Sequence, residues 1–181
     1  MDVARWLACH AAHELVGLLR PWQCPVTAFA PDLTAELAHA YQVERAASLE
    51  ALFAENEIIV ELAPLIPATT GLVTEAVLRR IRPGGVFVNV GRGAVVDEAA
   101  LLRVAREGRI SIGLDVYATE PLPADSEFRA LPRVSLTPHT AGPTIDRYPD
   151  AGAFALRNLR AHVEGRPLEA VITPESYDQS S

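Results

Sequence analysis

Short runs rich in β-branched residues alternate along this chain with segments of helical spacing. That alternation constrains the fold more than any other feature. Strands separated by helices do not pair as hairpins; they join through crossovers into a parallel sheet. Val26–Phe29, Glu57–Leu62, Val86–Asn89, Ile110–Asp115 and Val134–Thr137 read as strands. A residue able to accept first-turn amide protons stands before each helical segment between them. Asp32 precedes a helix over 34–40, Ser48 one over 49–54, Thr74 one over 75–81, and Asp97 one over 98–107 that Gly108 closes. Pro83-Gly84-Gly85 is a turn, 121–132 a proline-rich loop, and 150–164 a helix ended by Gly165 before a polar tail. Residues 3–20 read as helical, with Leu15, Leu18 and Leu19 as the stripe and Pro21 as the stop; the other reading makes Val3–Trp6 a strand. The expected class is α/β, an open, doubly wound parallel sheet.

Such sheets bind ligands at the carboxyl ends of their strands. Three polar residues follow three predicted strands there. Arg92 lies in Asn89-Val90-Gly91-Arg92-Gly93, where glycines permit close backbone approach and the guanidinium can hold a carboxylate bidentately. Glu120 follows Ile110–Asp115, and His139 follows Val134–Thr137. A histidine with a nearby carboxylate is an acid/base pair, because the carboxylate orients the ring and stabilises imidazolium. Together the three suit binding a 2-oxo or 2-hydroxy acid and moving its proton.

Composition removes other classes. The net charge is −7, all sixteen cations are arginine, and there is no lysine for a Schiff base or a phosphate-loop lysine. No basic run offers neutralisation of nucleic-acid phosphates, and no apolar stretch approaches the roughly 18 residues of a membrane span. Cys9 and Cys24 make neither a zinc spacing nor a disulfide framework, so a reducing cytoplasm is the expected compartment. His10, His13, His39 and His162 show no metal-ligand spacing and read as structural or solvated; no metal is expected. Arg79, Arg80 and Arg82 read as a solvated helix end.

The segments NVGRGAVVDEAAL, GLDVYATEPLP and LTPHTAGPT, in that order, resemble late motifs of the D-isomer-specific 2-hydroxyacid dehydrogenases. Residues 63–72 (APLIPATTGL) resemble the family's P-L-T-P-x-T-x-G-L segment, and Glu14–Trp22 resembles the helix after its dinucleotide fingerprint. The resemblance implies a Rossmann-like domain binding NAD, with NADP not excluded, and hydride transfer with a small 2-hydroxy or 2-oxo acid. It implies Arg92 as the carboxylate clamp, His139 as the general acid/base and Glu120 as the partner of the ring. It places Asp115 near the nicotinamide carboxamide, and Val90, Gly91, Arg92, His139 and Gly142 around the nicotinamide. It also implies a homodimer. Residues 1–145 are then the NAD(P)-binding domain, incomplete at its N-terminus, and 146–181 a C-terminal helix and tail.

The sequence departs from the family at the other end of the cofactor. The glycines of G-x-G-x-x-G fall on Leu7, Cys9 and Ala12, and the acidic ribose-binding position falls on Ala30, with Asp32 two residues later. The first strand, central in the family's sheet, is expected to be degenerate or missing. The alternative function is therefore a truncated or degenerate dinucleotide-binding or interaction module without turnover. A methyltransferase shares the fold class but gives no account of Arg92, Glu120 and His139. A formate dehydrogenase is disfavoured by a glutamate, rather than an amide, at position 120.

Overall fold

The computed structural model describes residues 11–30, 33–142 and 144–174 in full, and residues 3–6 and 10 as backbone. Its sheet has seven strands: β1 (Val3–Trp6), β2 (Val26–Phe29), β3 (Glu44–Arg45), β4 (Ile58–Glu61), β5 (Val86–Asn89), β6 (Ser111–Leu114) and β7 (Val134–Leu136). All pair in parallel, in the order β3-β2-β1-β4-β5-β6-β7. The order reverses between β1 and β4, which is the doubly wound arrangement.

Val3–Trp6 is a strand, so neither the missing first strand nor the helical reading of 3–20 holds. Val3 pairs with Val26 on one side and Ile58 on the other. Without β1, the facing edges of β2 and β4 would lie open, and unpaired buried amides are costly. The first helix, α1 (His10–Leu19), ends at the 3-10 turn Arg20–Trp22, which carries Pro21.

The remaining helices are α2 (Ala35–Tyr41), α3 (Leu49–Glu55), α4 (Glu75–Leu78), α5 (Glu98–Arg106) and α6 (Tyr148–Val163). Ser48, Thr74 and Asp97 accept from Ala51, Val77 and Ala100 amides as their caps. For α2 the cap is Thr34, whose hydroxyl accepts from Leu37 N at 3.2 Å, not the predicted Asp32, which lies outside the described residues. Thr34 is one residue before Ala35, where an N-cap must stand to reach the third amide. Helix α4 stops at Leu78, three residues short of expectation, because Arg80 and Ile81 amides turn to i−3 carbonyls. The two-residue β3 has no apolar signature and was not foreseen.

The core lies between sheet and helices, with Leu52, Phe53, Ile59, Leu78, Ile81, Phe87 and Ile110 nearly sealed from solvent. Phe53 of α3 meets Phe87 of β5 with ring centroids 6.0 Å apart. Each such side chain contributes about 1.5–3 kcal/mol by leaving water. This packing fixes the carboxyl ends of β4 to β7, and hence the loops that follow them. Helix α6 is largely exposed, with Ala161 its buried residue. Among the described residues, no helix is long and apolar enough to cross a membrane.

Candidate active site

Strand β5 ends at Asn89, 1% exposed, whose amide folds the next turn. Its Oδ1 accepts from Gly91 N at 3.1 Å and its Nδ2 donates to the Arg92 carbonyl at 3.2 Å. Two glycines allow this turn to press against its neighbours. A Cβ on Gly93 would fall onto the Tyr117 backbone, and one on Gly91 would lie 2.5 Å from Glu61 Oε2. The close approach that the glycines permit is therefore made by the chain's own atoms. Arg92 emerges half-buried, with Nη1 donating to the Gly91 carbonyl at 2.9 Å.

Glu61 was not foreseen as part of the site. It closes β4 in a buried position, 3% exposed, and its Oε1 accepts from Ala63 N at 2.5 Å. Its Oε2 has no hydrogen-bond partner. Burial pushes its carboxyl up to about 7, opposed by the amides of Ala63 and Arg92 and by the Arg92 charge. The available signal was a charge within a strand flanked by apolar residues.

Strand β6 delivers Asp115, also 3% exposed. Its Oδ1 accepts from the Thr137 hydroxyl at 2.5 Å and Thr140 N at 2.9 Å, and its Oδ2 accepts from Ala141 N at 2.8 Å. Burial pushes this carboxyl up, but the Thr137 hydroxyl, the two amides and the His139 charge outweigh it, so it titrates below the usual aspartate range. The carboxylate thus gathers the segment 137–141, within which His139 adopts φ 53. A non-glycine residue in that left-handed region costs roughly 1–2 kcal/mol and persists only where its surroundings hold it. Asp115 supplies that hold.

His139 Nδ1 lies 2.6 Å from Glu120 Oε2. Glu120 Oε1 accepts from Tyr117 N at 3.0 Å, so both carboxylate oxygens are committed and the plane is fixed. The hydrogen bond with His139 lowers the Glu120 carboxyl, with lesser help from the Tyr117 amide and the charges of His139 and Arg92. Tyr117, His139, Glu120, Leu122, Arg129 and Leu136 contribute to a cavity of about 570 Å³. Sequence reasoning and structure agree in bringing Arg92, Glu120, His139 and Asp115 to one edge of the sheet. Val90 is half-buried on the same turn, and Gly142 is exposed, with open space where a Cβ would stand.

Among the described residues, the end of β2 offers fewer polar groups. Ala12, at the third fingerprint position, is fully buried, and Ala30, after β2, is 8% exposed and offers no carboxylate. Leu7, Cys9 and Asp32 lie outside the described residues. His13 stacks on Tyr41 with centroids 4.3 Å apart. Arg79 is not merely solvated; it bridges Glu75 on α4 and Glu107 after α5. Among the described residues no group of three His, Cys, Asp or Glu side chains could hold a metal.

Comparison with known proteins accounts for this arrangement. Residues 9–141 match a family model described as D-isomer specific 2-hydroxyacid dehydrogenase, NAD binding domain. Glyoxylate/hydroxypyruvate reductase B of Pectobacterium atrosepticum is 37% identical over 132 residues, covering 72% of this chain and 41% of that protein. Hydroxyphenylpyruvate reductase of Plectranthus scutellarioides is 32% identical over 154 residues, 84% of this chain and 47% of that one. The chain therefore spans less than half the length of these relatives. The crystal structure of a D-isomer specific 2-hydroxyacid dehydrogenase from Xanthobacter autotrophicus Py2, in complex with NADPH and MES, superposes with a TM-score of 0.81 at 31% identity. That match covers 97% of this chain and 72% of the other.

Proposed function

Because this chain belongs to the D-isomer-specific 2-hydroxyacid dehydrogenase family, through its NAD-binding domain, we propose that it serves hydride transfer between a nicotinamide cofactor and a small 2-hydroxy or 2-oxo acid. The observation that carries this reading is the 2.6 Å contact of His139 with Glu120 within reach of the Arg92 charge.

The nicotinamide end of the cofactor fits the chemistry of the donor set after β5 to β7, with Val90, Gly91, Arg92, Asp115, His139 and Gly142 as its surroundings. Ala30 supplies no carboxylate at the ribose end, so the described residues there do not select NAD over NADP. When bound, the nicotinamide supplies or accepts the hydride. Arg92 holds the substrate carboxylate through its fork of N–H donors. Glu120 occupies His139 Nδ1, which leaves Nε2 to give a proton to the substrate oxygen in reduction and remove it in oxidation. Glu120 also stabilises the imidazolium. Asp115 keeps the His139 turn in place whether or not it touches the cofactor.

The second reading is a dinucleotide-binding or interaction module without turnover. The buried Ala12 and Ala30 methyls favour it. Titration of the purified chain with NADH, read by nicotinamide fluorescence and energy transfer from tryptophan, separates the dehydrogenase reading from an interaction module, and oxidation of NADH in the presence of a small 2-oxo acid separates it from a dinucleotide-binding module without turnover. Saturable binding that Arg92→Ala and His139→Ala weaken supports the dehydrogenase reading. No binding by a demonstrably folded chain up to millimolar NADH selects the interaction module, and binding without turnover selects the dinucleotide-binding one.

The same reading makes the protein a cytoplasmic homodimer, with residues 1–145 as the cofactor domain and 146–181 as an appended helix and tail. Leu156, Leu159 and Val163 support the dimer as exposed apolar residues on α6, 48%, 66% and 82% exposed. Sedimentation equilibrium tests it, and a monodisperse monomer refutes it.

A further inference from the structure

Among the buried ionisable groups of the described residues, Glu61 has no part in the chemistry above. It lies at the carboxyl end of β4, one strand from the turn that presents Arg92. Its carboxyl occupies the space that a Cβ of Gly91 would fill. One oxygen is tied to Ala63 N, and the other has no partner. We propose that Glu61 is a positioning residue for Arg92, and that the charge of its buried carboxyl sets how strongly the guanidinium holds an anionic substrate group. The proposal rests on the reading of Arg92 as the carboxylate clamp.

Glu61 acts on Arg92 both sterically and electrostatically. Sterically, the carboxyl is the floor beneath Gly91, so the backbone that aims Arg92 sits where Glu61 lets it sit. Electrostatically, the ionised carboxyl accepts from the Ala63 amide and, one strand from the Arg92 turn, opposes the field with which the guanidinium draws an anion. A substrate carboxylate must then compete with an internal one. Protonation removes that competitor and leaves the Arg92 charge for the ligand. Arg92 is the charged group acting on Glu61 from the β5 loop, and Asn89 there is neutral. On the other flank β1 sets Arg5 level with Val60. With burial pushing the acid to about 7, both states are populated around neutrality.

Two measurements test this. The first follows the Glu61 carboxyl and the Ala63 and Arg92 amides of the ligand-free chain by NMR as pH is changed. One shared midpoint near neutrality is expected. A Glu61 that stays ionised down to ordinary carboxylate pH, or an Arg92 amide indifferent to it, overturns the proposal. The second titrates the chain and Glu61→Gln with oxalate, which keeps its double charge throughout. Between about pH 6 and about pH 8 the wild-type affinity should fall roughly three- to tenfold more than that of the variant. Glutamine keeps the acceptor and the shape but never ionises, and His139 is common to both chains. Identical pH profiles overturn the proposal. If Glu61→Gln does not fold, the wild-type NMR titration decides alone. Oxalate binding to neither chain refutes the clamp reading of Arg92 and the electrostatic half of the proposal, whereas the shared midpoint tests the positioning half separately.

Discussion

The two halves of the sheet, on either side of the β1/β4 reversal, end in different chemistry. Beyond β4, β5, β6 and β7 the strand ends carry Glu61, Asn89, Asp115, and the Glu120–His139 pair. Glu61 and Asn89 hold the turns that follow their own strands, while Asp115 and Glu120 reach the loop beyond β7. Beyond β2 the described chain ends in the buried methyl of Ala30. The first half is organised by charge in low dielectric, where each satisfied group holds a loop and each lost partner is costly. In the second half the buried residues of β2 and α2 are apolar, among them Val26, Ala28, Ala30 and Ala38. Among the described residues, the polar groups thus gather beyond β4 to β7, and the end of β2 carries an apolar side chain.

The largest effect that can break this comparison is expected at Asp115. Asp115→Ala strands two amides and a hydroxyl and releases the His139 turn. At about 1–3 kcal/mol per stranded buried donor, partly recovered by water, the chain should lose about 3–4 kcal/mol in urea denaturation. Ala30→Ser, in the other half, should change stability by under about 1 kcal/mol. Comparable losses at the two positions would end the distinction. Gly93→Ala comes next, at roughly 2–3 kcal/mol, since the methyl would meet backbone of Tyr117 that cannot rotate away.

The legibility of the sequence divides along the same line. Val26–Phe29 and Val86–Asn89 fall where their β-branched runs end, and Ser48, Thr74 and Asp97 cap as read. Arg92, Glu120 and His139 are legible because a parallel sheet sends every strand's exit to one edge. What hides is what has no local pattern. The strand Glu44–Arg45 is polar and exists only because β2 offers it an edge. Val3–Trp6 is too short to separate from a helical stretch until β4 is seen to need a neighbour. Glu61 looks like the polar end of a strand, and its burial comes from Gly91, thirty residues on. The role of Asp115 is similarly non-local, because its partners all follow β7.

Glu61 gives the half-sheet comparison a pH dependence. Its carboxyl is raised from 4.5 to about 7 by burial, so between those values the folded chain keeps a proton that the unfolded chain has lost. Stability from this group is complete below about pH 4.5 and is lost as pH rises through 7, by about 3–4 kcal/mol in all. Asp115 and Glu120, both lowered, act oppositely: their contributions are present above their unfolded values and are lost as pH falls through their folded ones. Thermal denaturation should therefore show greatest stability near about pH 5, and Glu61→Leu should flatten the decline toward pH 8. An unchanged decline in that variant would assign it elsewhere.

The smallest effect sharpens the comparison from the apolar side. If the β2 end lacks only a partner for the ribose hydroxyls, restoring one carboxylate should be enough to improve binding. Ala30→Asp places an acceptor at the edge of β2, where the residue retains 8% exposure through which the carboxylate can reach the cleft. A charge-assisted hydrogen bond contributes about 1.5–3 kcal/mol before desolvation, so the NADH dissociation constant should fall roughly fivefold to tenfold. NADPH should gain nothing, because its phosphate would meet the new charge. Equal gains for the two cofactors would mean that the carboxylate acts through the fold. No gain for either would locate the deficit at the phosphates, where Ala12 already fills the third glycine's place against the sheet. In both cases the polar network beyond β4 should be untouched, since no hydrogen bond described there reaches β2.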